Sequence, residues 1–312
     1  MTSRAATPTA VQPGTAGLAA GPGSAAGRAR LRAFLDLTKP GITRLVVATA
    51  AAGYGLGSRG AFDFVLFGHT LIGIALAASG SNALNQFAER DVDARMRRTA
   101  WRPLPSGRLG PSEALLFGLA IGGLGILQLL LFVNLTAAIL VAASLSSYVL
   151  VYTPLKRLTW WCTLVGALPG ALPILAGWAA AGGAIGPAGL TLFGILFLWQ
   201  MPHFFALAWM YREDYMRGGL RMLTAYDPTG RRTARQIVLY CAALVLVSLL
   251  PGPTGVTGPI YTAGAAVLGV AFLLLGATMM FDRSEHRARR VFIGSVVYLP
   301  ALLLLMVVDK AG

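Results

Sequence analysis

A polar stretch at the end of a long apolar segment holds the residues best suited to chemistry. Asn85, Glu89 and Asp93 recur every four residues within residues 81–93. If the apolar segment is a helix that continues through them, each side chain is rotated by only about 40° from the previous one. Their oxygens then line one helix face and suit a hard cation, above all Mg²⁺ when phosphates complete its shell. Asp91 points to the opposite side, and the pattern taken alone also fits a solvated helix end.

A second polar segment, residues 199–219, contributes His203 and Asp214. On one helix these side chains lie about 20° apart, although Pro202 should kink the helix there. Ionisable groups within apolar segments are costly and indicate functional positions. We therefore predict Asp214 as a second cation ligand. For His203 a proton shuttle, a substrate hydrogen bond, an iron ligand and a satisfied core histidine all remain open.

Basic residues surround both polar segments. An acidic cluster ringed by cations at a membrane surface suits a Mg²⁺-bound diphosphate, because carboxylates hold the metal and guanidinium groups take the remaining negative charge. Topology or lipid contact is the alternative explanation for each single cation. The candidates for diphosphate contact are Lys39, Arg98, Arg102, Lys156 and Arg157.

The chemistry that these groups predict is the ionisation of an allylic diphosphate. Metal and arginine stabilise the negative charge that develops on the departing diphosphate. The isoprenoid tail lies in an apolar tunnel that opens to lipid. The allylic cation is captured by an electron-rich acceptor, and the site must exclude water until then.

The composition identifies a membrane protein. The 312 residues are 56% hydrophobic and only 12% charged, a balance that excludes an ordinary soluble domain. The net charge of +14 would favour nucleic acid in a soluble protein. Here the basic residues lie between apolar runs, so we expect contacts with membrane lipid or phosphate and no nucleic-acid partner. The two cysteines provide neither a disulfide framework nor a metal-binding spacing.

The distribution of basic residues predicts the topology of the chain. With a cytoplasmic N-terminus, all but two of the 26 Lys and Arg residues lie inside, the exceptions being Arg59 and Lys310. This bias supports nine spans, a C-terminus outside and a polar site toward the cytoplasmic face. The predicted spans are 42–60, 64–88, 112–133, 135–153, 160–182, 187–211, 233–250, 258–281 and 290–308.

Residues 1–30 differ in composition from the remainder of the chain. They are rich in small residues, Pro and Thr, carry arginines and contain no acid. Such a segment cannot bury enough apolar surface to fold, so we predict a disordered cytoplasmic tail, with a transit peptide as the alternative. Residues 31–312 then form a single membrane domain.

The polar runs resemble motifs of the intramembrane UbiA-type prenyltransferase superfamily across residues 31–310. Within this superfamily, the runs 89–93 and 199–204 together resemble motifs of the heme-modifying branch. The resemblance implies an all-α fold of nine transmembrane helices around a central cavity. The runs that carry it are 37–40, 82–93, 97–104, 152–157, 199–204 and 212–223.

The resemblance also implies a reaction. It is the Mg²⁺-dependent transfer of a farnesyl group from farnesyl diphosphate to a vinyl group of heme B, giving heme O in a bacterial plasma membrane. Asn85, Glu89 and Asp93 form the first metal–diphosphate motif, and Asp214 belongs to the second. Expected partners are a heme A-forming monooxygenase or terminal-oxidase assembly factors. The alternatives are a prenyltransferase of the same fold acting on a quinone precursor or other tetrapyrrole, and a membrane carrier.

Overall fold

A computed structural model describes residues 22–311. Within that range the chain is helical, and its only β-pairing is an isolated bridge between Thr257 and Lys310. The α-helices are α1 Pro22–Leu37, α2 Pro40–Gly57, α3 Phe64–Asp93, α4 Pro111–Phe132, α5 Leu135–Ser146, α6 Thr153–Leu155, α7 Cys162–Ala180, α8 Pro187–Met210, α9 Arg212–Gly218, α10 Arg231–Ser248, α11 Pro259–Phe281 and α12 Glu285–Val308. A π-helix (Ser147–Tyr152) joins α5 to α6, and a 3₁₀-helix (Leu223–Tyr226) precedes α10.

The predicted all-α membrane architecture is confirmed. Each of the nine predicted spans coincides with a helix, α5 to α6 forming one continuous span. Within residues 22–311, seven of these helical segments are long and apolar enough to cross a membrane. The other two, α2 and α10, have 18 residues each and carry arginines, Arg44 in α2 and three at the start of α10. They nevertheless pack in the bundle, α2 against α7 and α10 against α8 and α11.

Residues 1–21 of the predicted tail lie outside the described residues. From Pro22 the chain forms α1, and proline is well suited to the first position of a helix. Ala33 and Leu37 of α1 are buried against Leu104 and Leu109. Because α1 packs against the long α3 as well, it brings the start of α2 next to the end of α3.

The long helix α3 carries the first polar motif to the edge of the bundle. Its 30 residues span about 45 Å, more than the roughly 30 Å of a bilayer hydrocarbon core. Along this length it packs closely on α4. A Cβ at Gly80 would lie only 2.5 Å from the Gly122 backbone, so only glycine allows this approach. The end of α3 can therefore extend beyond the apolar layer while its middle is held in the bundle.

Helix α7 forms the centre of the bundle. Its residues 171–180 are all buried, and it packs against α2, α5 and α8. Pro173 has no N–H, so it leaves the carbonyl of Pro169 without its helical donor. The Ser144 hydroxyl donates to that carbonyl at 2.7 Å. Neighbouring side chains thus compensate for the prolines that shape the interior.

Candidate active site

The α1–α2 connection places Lys39 against the end of α3. Lys39 has a φ of 46°, and no other non-glycine residue among those described has a positive φ. Asn82 and Gln86 of α3 donate to the two carbonyls just before it, at 3.2 and 2.8 Å. This support offsets the backbone strain and lets the Lys39 ammonium donate to Asn85 Oδ1 at 2.8 Å.

The two carboxylates of the first motif are each paired with a cation. Glu89 and Asp93 are buried, at 5% and 0% exposure. Lys156 Nζ donates to Glu89 Oε1 at 2.8 Å. Arg102 Nη1 donates to both Asp93 oxygens at 2.9 and 2.7 Å. The group comprising Lys39, Asn85, Glu89, Asp93, Arg102 and Lys156 is called the polar cluster.

The π-helix and α6 position one side of the polar cluster. Asn85 Nδ2 donates to Thr153 Oγ1 at 3.1 Å, and that hydroxyl donates to the Tyr148 carbonyl at 2.8 Å. The Lys156 ammonium lies 4.4 Å from the centre of the Tyr152 ring, a favourable cation–π distance. The irregular helix therefore fixes both an amide and an ammonium group.

The two lysines of the polar cluster have opposite pKa shifts. Lys39 is half-buried, and the loss of water around its ammonium group, followed by repulsion from Arg102, lowers its pKa to about 7. Burial alone would also lower the pKa of Lys156, but the Glu89 carboxylate holds it well above its ordinary value. Lys39 is thus the cation that changes charge most readily near neutral pH.

Asp214 lies apart from the polar cluster. It is buried and accepts from the backbone N–H groups of Arg97 and Arg98 at 3.3 and 3.2 Å, and it is 3.3 Å from Arg217 Nη1. In residues 22–311 no three His, Cys, Asp or Glu side chains converge on a possible metal position. Asp214 therefore anchors the loop after α3 in this structure, and its role as a metal ligand stays a prediction.

The predicted diphosphate contacts divide into two groups. Three lie in the polar cluster, whereas Arg98 lies 4.7 Å above the Tyr211 ring and Arg157 is exposed and donates to the Ala88 carbonyl at 3.3 Å. Asp91 is exposed, as expected from its position on the opposite face. The structure therefore favours the clustered cations over Arg98 and Arg157 as diphosphate contacts.

An apolar cavity of about 300 Å³ begins beside the polar cluster. Asn82, one helical turn before Asn85, lies in its wall. Gln200 and His203 contribute polar groups from α8, and much of the remaining lining is aliphatic or aromatic. A cavity of this composition next to charged groups suits a ligand with a hydrocarbon chain and an anionic head.

His203 is held firmly at the cavity wall. Its Nδ1 lies 2.8 Å from Ser295 Oγ of α12. Its ring stacks on Trp199 with a centroid distance of 5.2 Å and packs on Phe292 at 4.7 Å. The structure thus places the predicted His203 on the same cavity as Asn82 but not within the polar cluster.

Gly170 provides the space for Gln200. A Cβ at Gly170 would lie 2.0 Å from Gln200 Oε1, and the Gln200 amide is fixed by bonds to the carbonyls of Ala167 and Leu196. We expect Gly170→Ala to lower the free energy of unfolding by about 1–3 kcal/mol, measured by denaturant unfolding in detergent. Gly123→Ala is the control, because no heavy atom lies within 4 Å of its Cβ position. Equal stability of the two variants would contradict the packing argument.

Two positioning residues were not identified from the sequence. Thr153 lies three residues before Lys156, so a helical projection of that run could have placed it on the same side. Ser295 is 92 residues from His203 and lies in an apolar span. No local pattern connects these two residues, since only the packing of α8 on α12 brings them together.

The family relationship agrees with this geometry. The UbiA prenyltransferase family profile matches residues 46–302. The chain belongs to the UbiA prenyltransferase family. This UbiA-family chain is 48% identical over 291 residues to the protoheme IX farnesyltransferase of Solibacter usitatus, covering 90% of this chain and all of that one. It is 45% identical over 276 residues to the protoheme IX farnesyltransferase of Salinibacter ruber, covering 88% and 98%.

Solved structures show the same UbiA fold at low sequence identity. A digeranylgeranylglyceryl phosphate synthase superimposes with a TM-score of 0.75 and 20% identity, covering 90% of this chain and 98% of that one. A UbiA homologue from Archaeoglobus fulgidus, bound to DMAPP and Mg²⁺, has a TM-score of 0.67 and 18% identity, covering 88% and 98%. The predicted UbiA-type fold is therefore confirmed.

Proposed function

We propose that this protein transfers the farnesyl group of farnesyl diphosphate to a vinyl group of heme B, giving heme O. The observation that carries the proposal is the polar cluster at the end of an apolar cavity, which suits a prenyl diphosphate. The farnesyl chain and the heme acceptor follow from the relatives named protoheme IX farnesyltransferase, with 48% and 45% identity.

The donor set of the polar cluster fits Mg²⁺ together with a diphosphate. Mg²⁺ is usually bound by one or two carboxylates with phosphate oxygens and waters, and Glu89 and Asp93 supply two carboxylates on one face. Asn85, Glu89 and Asp93 would hold the ion, which when bound supplies positive charge that stabilises the departing diphosphate. The UbiA homologue bound to DMAPP and Mg²⁺ supports this assignment, and Asp214 stays a predicted further ligand.

The cations of the polar cluster are the proposed contacts for the diphosphate oxygens. Lys39, Arg102 and Lys156 each donate to a neighbouring cluster oxygen at 2.7–2.9 Å. When the diphosphate enters, these donors turn to its oxygens and stabilise the charge that develops as the allylic C–O bond breaks. The guanidinium of Arg102 can do so with two parallel hydrogen bonds.

The apolar cavity keeps the allylic cation from water until the acceptor reacts. The terminal vinyl carbon of the heme bonds to C1 of the farnesyl group, while diphosphate leaves with the electrons of the C–O bond. A water molecule then adds to the adjacent carbon and loses a proton. The aliphatic and aromatic lining limits water access to the first of these steps.

We also place the polar cluster at the cytoplasmic face of a bacterial plasma membrane, with the N-terminus inside. The concentration of basic residues in the loops at that end of the bundle supports this orientation. A heme A-forming monooxygenase or oxidase assembly factors would then receive the product.

The direct test uses the full chain in detergent micelles with farnesyl diphosphate, heme B and Mg²⁺, and products are separated by liquid chromatography and identified by mass. We expect heme O, with its formation abolished by EDTA and restored by excess Mg²⁺. Prenylation of a quinone precursor in place of heme would identify a different acceptor. Heme or diphosphate transport into vesicles without any product would identify a carrier.

A further inference from the structure

The hydrogen bonds around Ser295 determine which nitrogen of His203 carries the proton. Ser295 Oγ lies 2.6 Å from the Phe292 carbonyl, and a carbonyl can only accept. The single hydroxyl proton is therefore used in that bond. At 2.8 Å from the same oxygen, His203 Nδ1 must donate. The imidazole is thus in its Nδ1–H tautomer and carries a lone pair on Nε2.

The lone pair on Nε2 is available to a ligand in the cavity. Ser295 has 0% exposure and does not line the cavity, whereas His203 does, so the ring has its Nδ1 side in the bundle and its other side at the cavity. No described residue hydrogen-bonds to Nε2. Trp199 and Phe292 hold the plane of the ring, and Trp199 Nε1 itself donates to the Ser295 carbonyl at 2.8 Å.

We propose that His203 Nε2 is an axial ligand to the iron of the heme acceptor and that Ser295 is the positioning residue that fixes its tautomer and orientation. The proposal rests on the proposed function for the identity of the acceptor. A neutral imidazole whose other nitrogen donates to a fixed acceptor is the usual arrangement of a ligating histidine. Trp199 and Phe204 also line this part of the cavity and offer flat apolar surface for a porphyrin.

A role for Nε2 as a general base is the competing interpretation. A base must reach the water that is captured late in the reaction, and Leu196, Phe204 and Leu207 make this part of the cavity wall apolar. An iron ligand needs only the lone pair, which the Ser295 bond provides before any substrate enters. The two roles differ in an observable property, because only ligation changes the electronic spectrum of bound heme.

The test is a titration of the detergent-purified full chain with ferric heme B, followed by absorption and electron paramagnetic resonance. The wild type should show a nitrogen-ligated iron. His203→Met should lose the nitrogen signature and bind heme at least about 10-fold more weakly. Ser295→Ala should weaken binding by about 5-fold and leave a mixture of ligated and unligated iron, since one hydrogen bond is lost.

Ser248→Ala is the matched control. Ser248 is also fully buried, and its hydroxyl bonds across helices to Tyr298 at 3.0 Å, away from the cavity. We expect it to keep the wild-type spectrum and affinity. An unchanged nitrogen-ligated spectrum in His203→Met would overturn the proposal, as would an unchanged spectrum and affinity in Ser295→Ala.

Heme O formation by the wild-type preparation is measured in parallel. If heme O forms but the heme spectrum does not depend on His203, the iron-ligand assignment is wrong and the proposed reaction stands. If no heme O forms but the heme spectrum depends on His203, the proposed reaction is wrong and the heme-binding site stands.

Discussion

Farnesyl transfer should fall by about 100-fold or more when Asp93 is replaced by Asn. Asp93 has 0% exposure and accepts two hydrogen bonds from Arg102. The amide is nearly the same size but removes a negative charge that would hold Mg²⁺, and it leaves the half-buried guanidinium without its counter-charge. Heme O formed per unit time, quantified by mass, measures the effect.

Asp91→Asn is the matched control for this substitution. Asp91 lies two residues away on the same helix, but it is exposed and lies 3.9 Å from Arg90. We expect its activity to stay within about 2-fold of the wild type, since an exposed ion pair contributes little. Thermal unfolding in detergent shows whether each variant is folded. A folded Asp93→Asn variant with wild-type activity would contradict the assignment.

We expect substitutions of two adjacent cations, Lys156 and Arg157, to have very different effects on activity. Lys156→Gln should lower activity by about 100-fold, because it removes the ammonium that bonds to Glu89 and that we propose as a diphosphate contact. Gln keeps a hydrogen-bond donor for the buried Glu89, which limits the loss of stability. Arg157→Gln should change activity by less than about 3-fold, since Arg157 is exposed and donates only to a backbone carbonyl.

Steady-state kinetics with varied farnesyl diphosphate test this pair of variants. We expect Lys156→Gln to raise KM for farnesyl diphosphate and lower kcat, because the charge on the diphosphate increases as the bond breaks. Equal losses in both variants would mean that the polar cluster does not define the diphosphate site.

The sequence predicts those parts of the site that depend on local periodicity. Asn85, Glu89 and Asp93 share a helix face because helical geometry alone aligns residues four apart. The helices themselves follow from apolar runs long enough for a bilayer, interrupted by polar loops. Both inferences need only neighbouring residues, and the structure agrees with both.

Partners that are distant in the chain could not be predicted in the same way. Arg98 and Arg102 look equivalent in the sequence, yet only Arg102 reaches Asp93, because the loop after α3 turns Arg98 toward the Tyr211 ring. Asp214 bonds to that loop and stays apart from Glu89. These outcomes depend on loop conformation and helix packing, which no periodic pattern encodes.

The carboxylates of the polar cluster are already paired with cations before any ligand enters. A free divalent cation approaching Glu89 and Asp93 is repelled by the paired cations Arg102 and Lys156, and a free diphosphate is repelled by the two carboxylates. A metal–diphosphate complex brings both charges together, so each side chain can exchange its protein partner for one of opposite sign in the ligand. If the polar cluster binds both ions as proposed, we expect it to discriminate against either ion alone and to admit the preformed complex as a single unit.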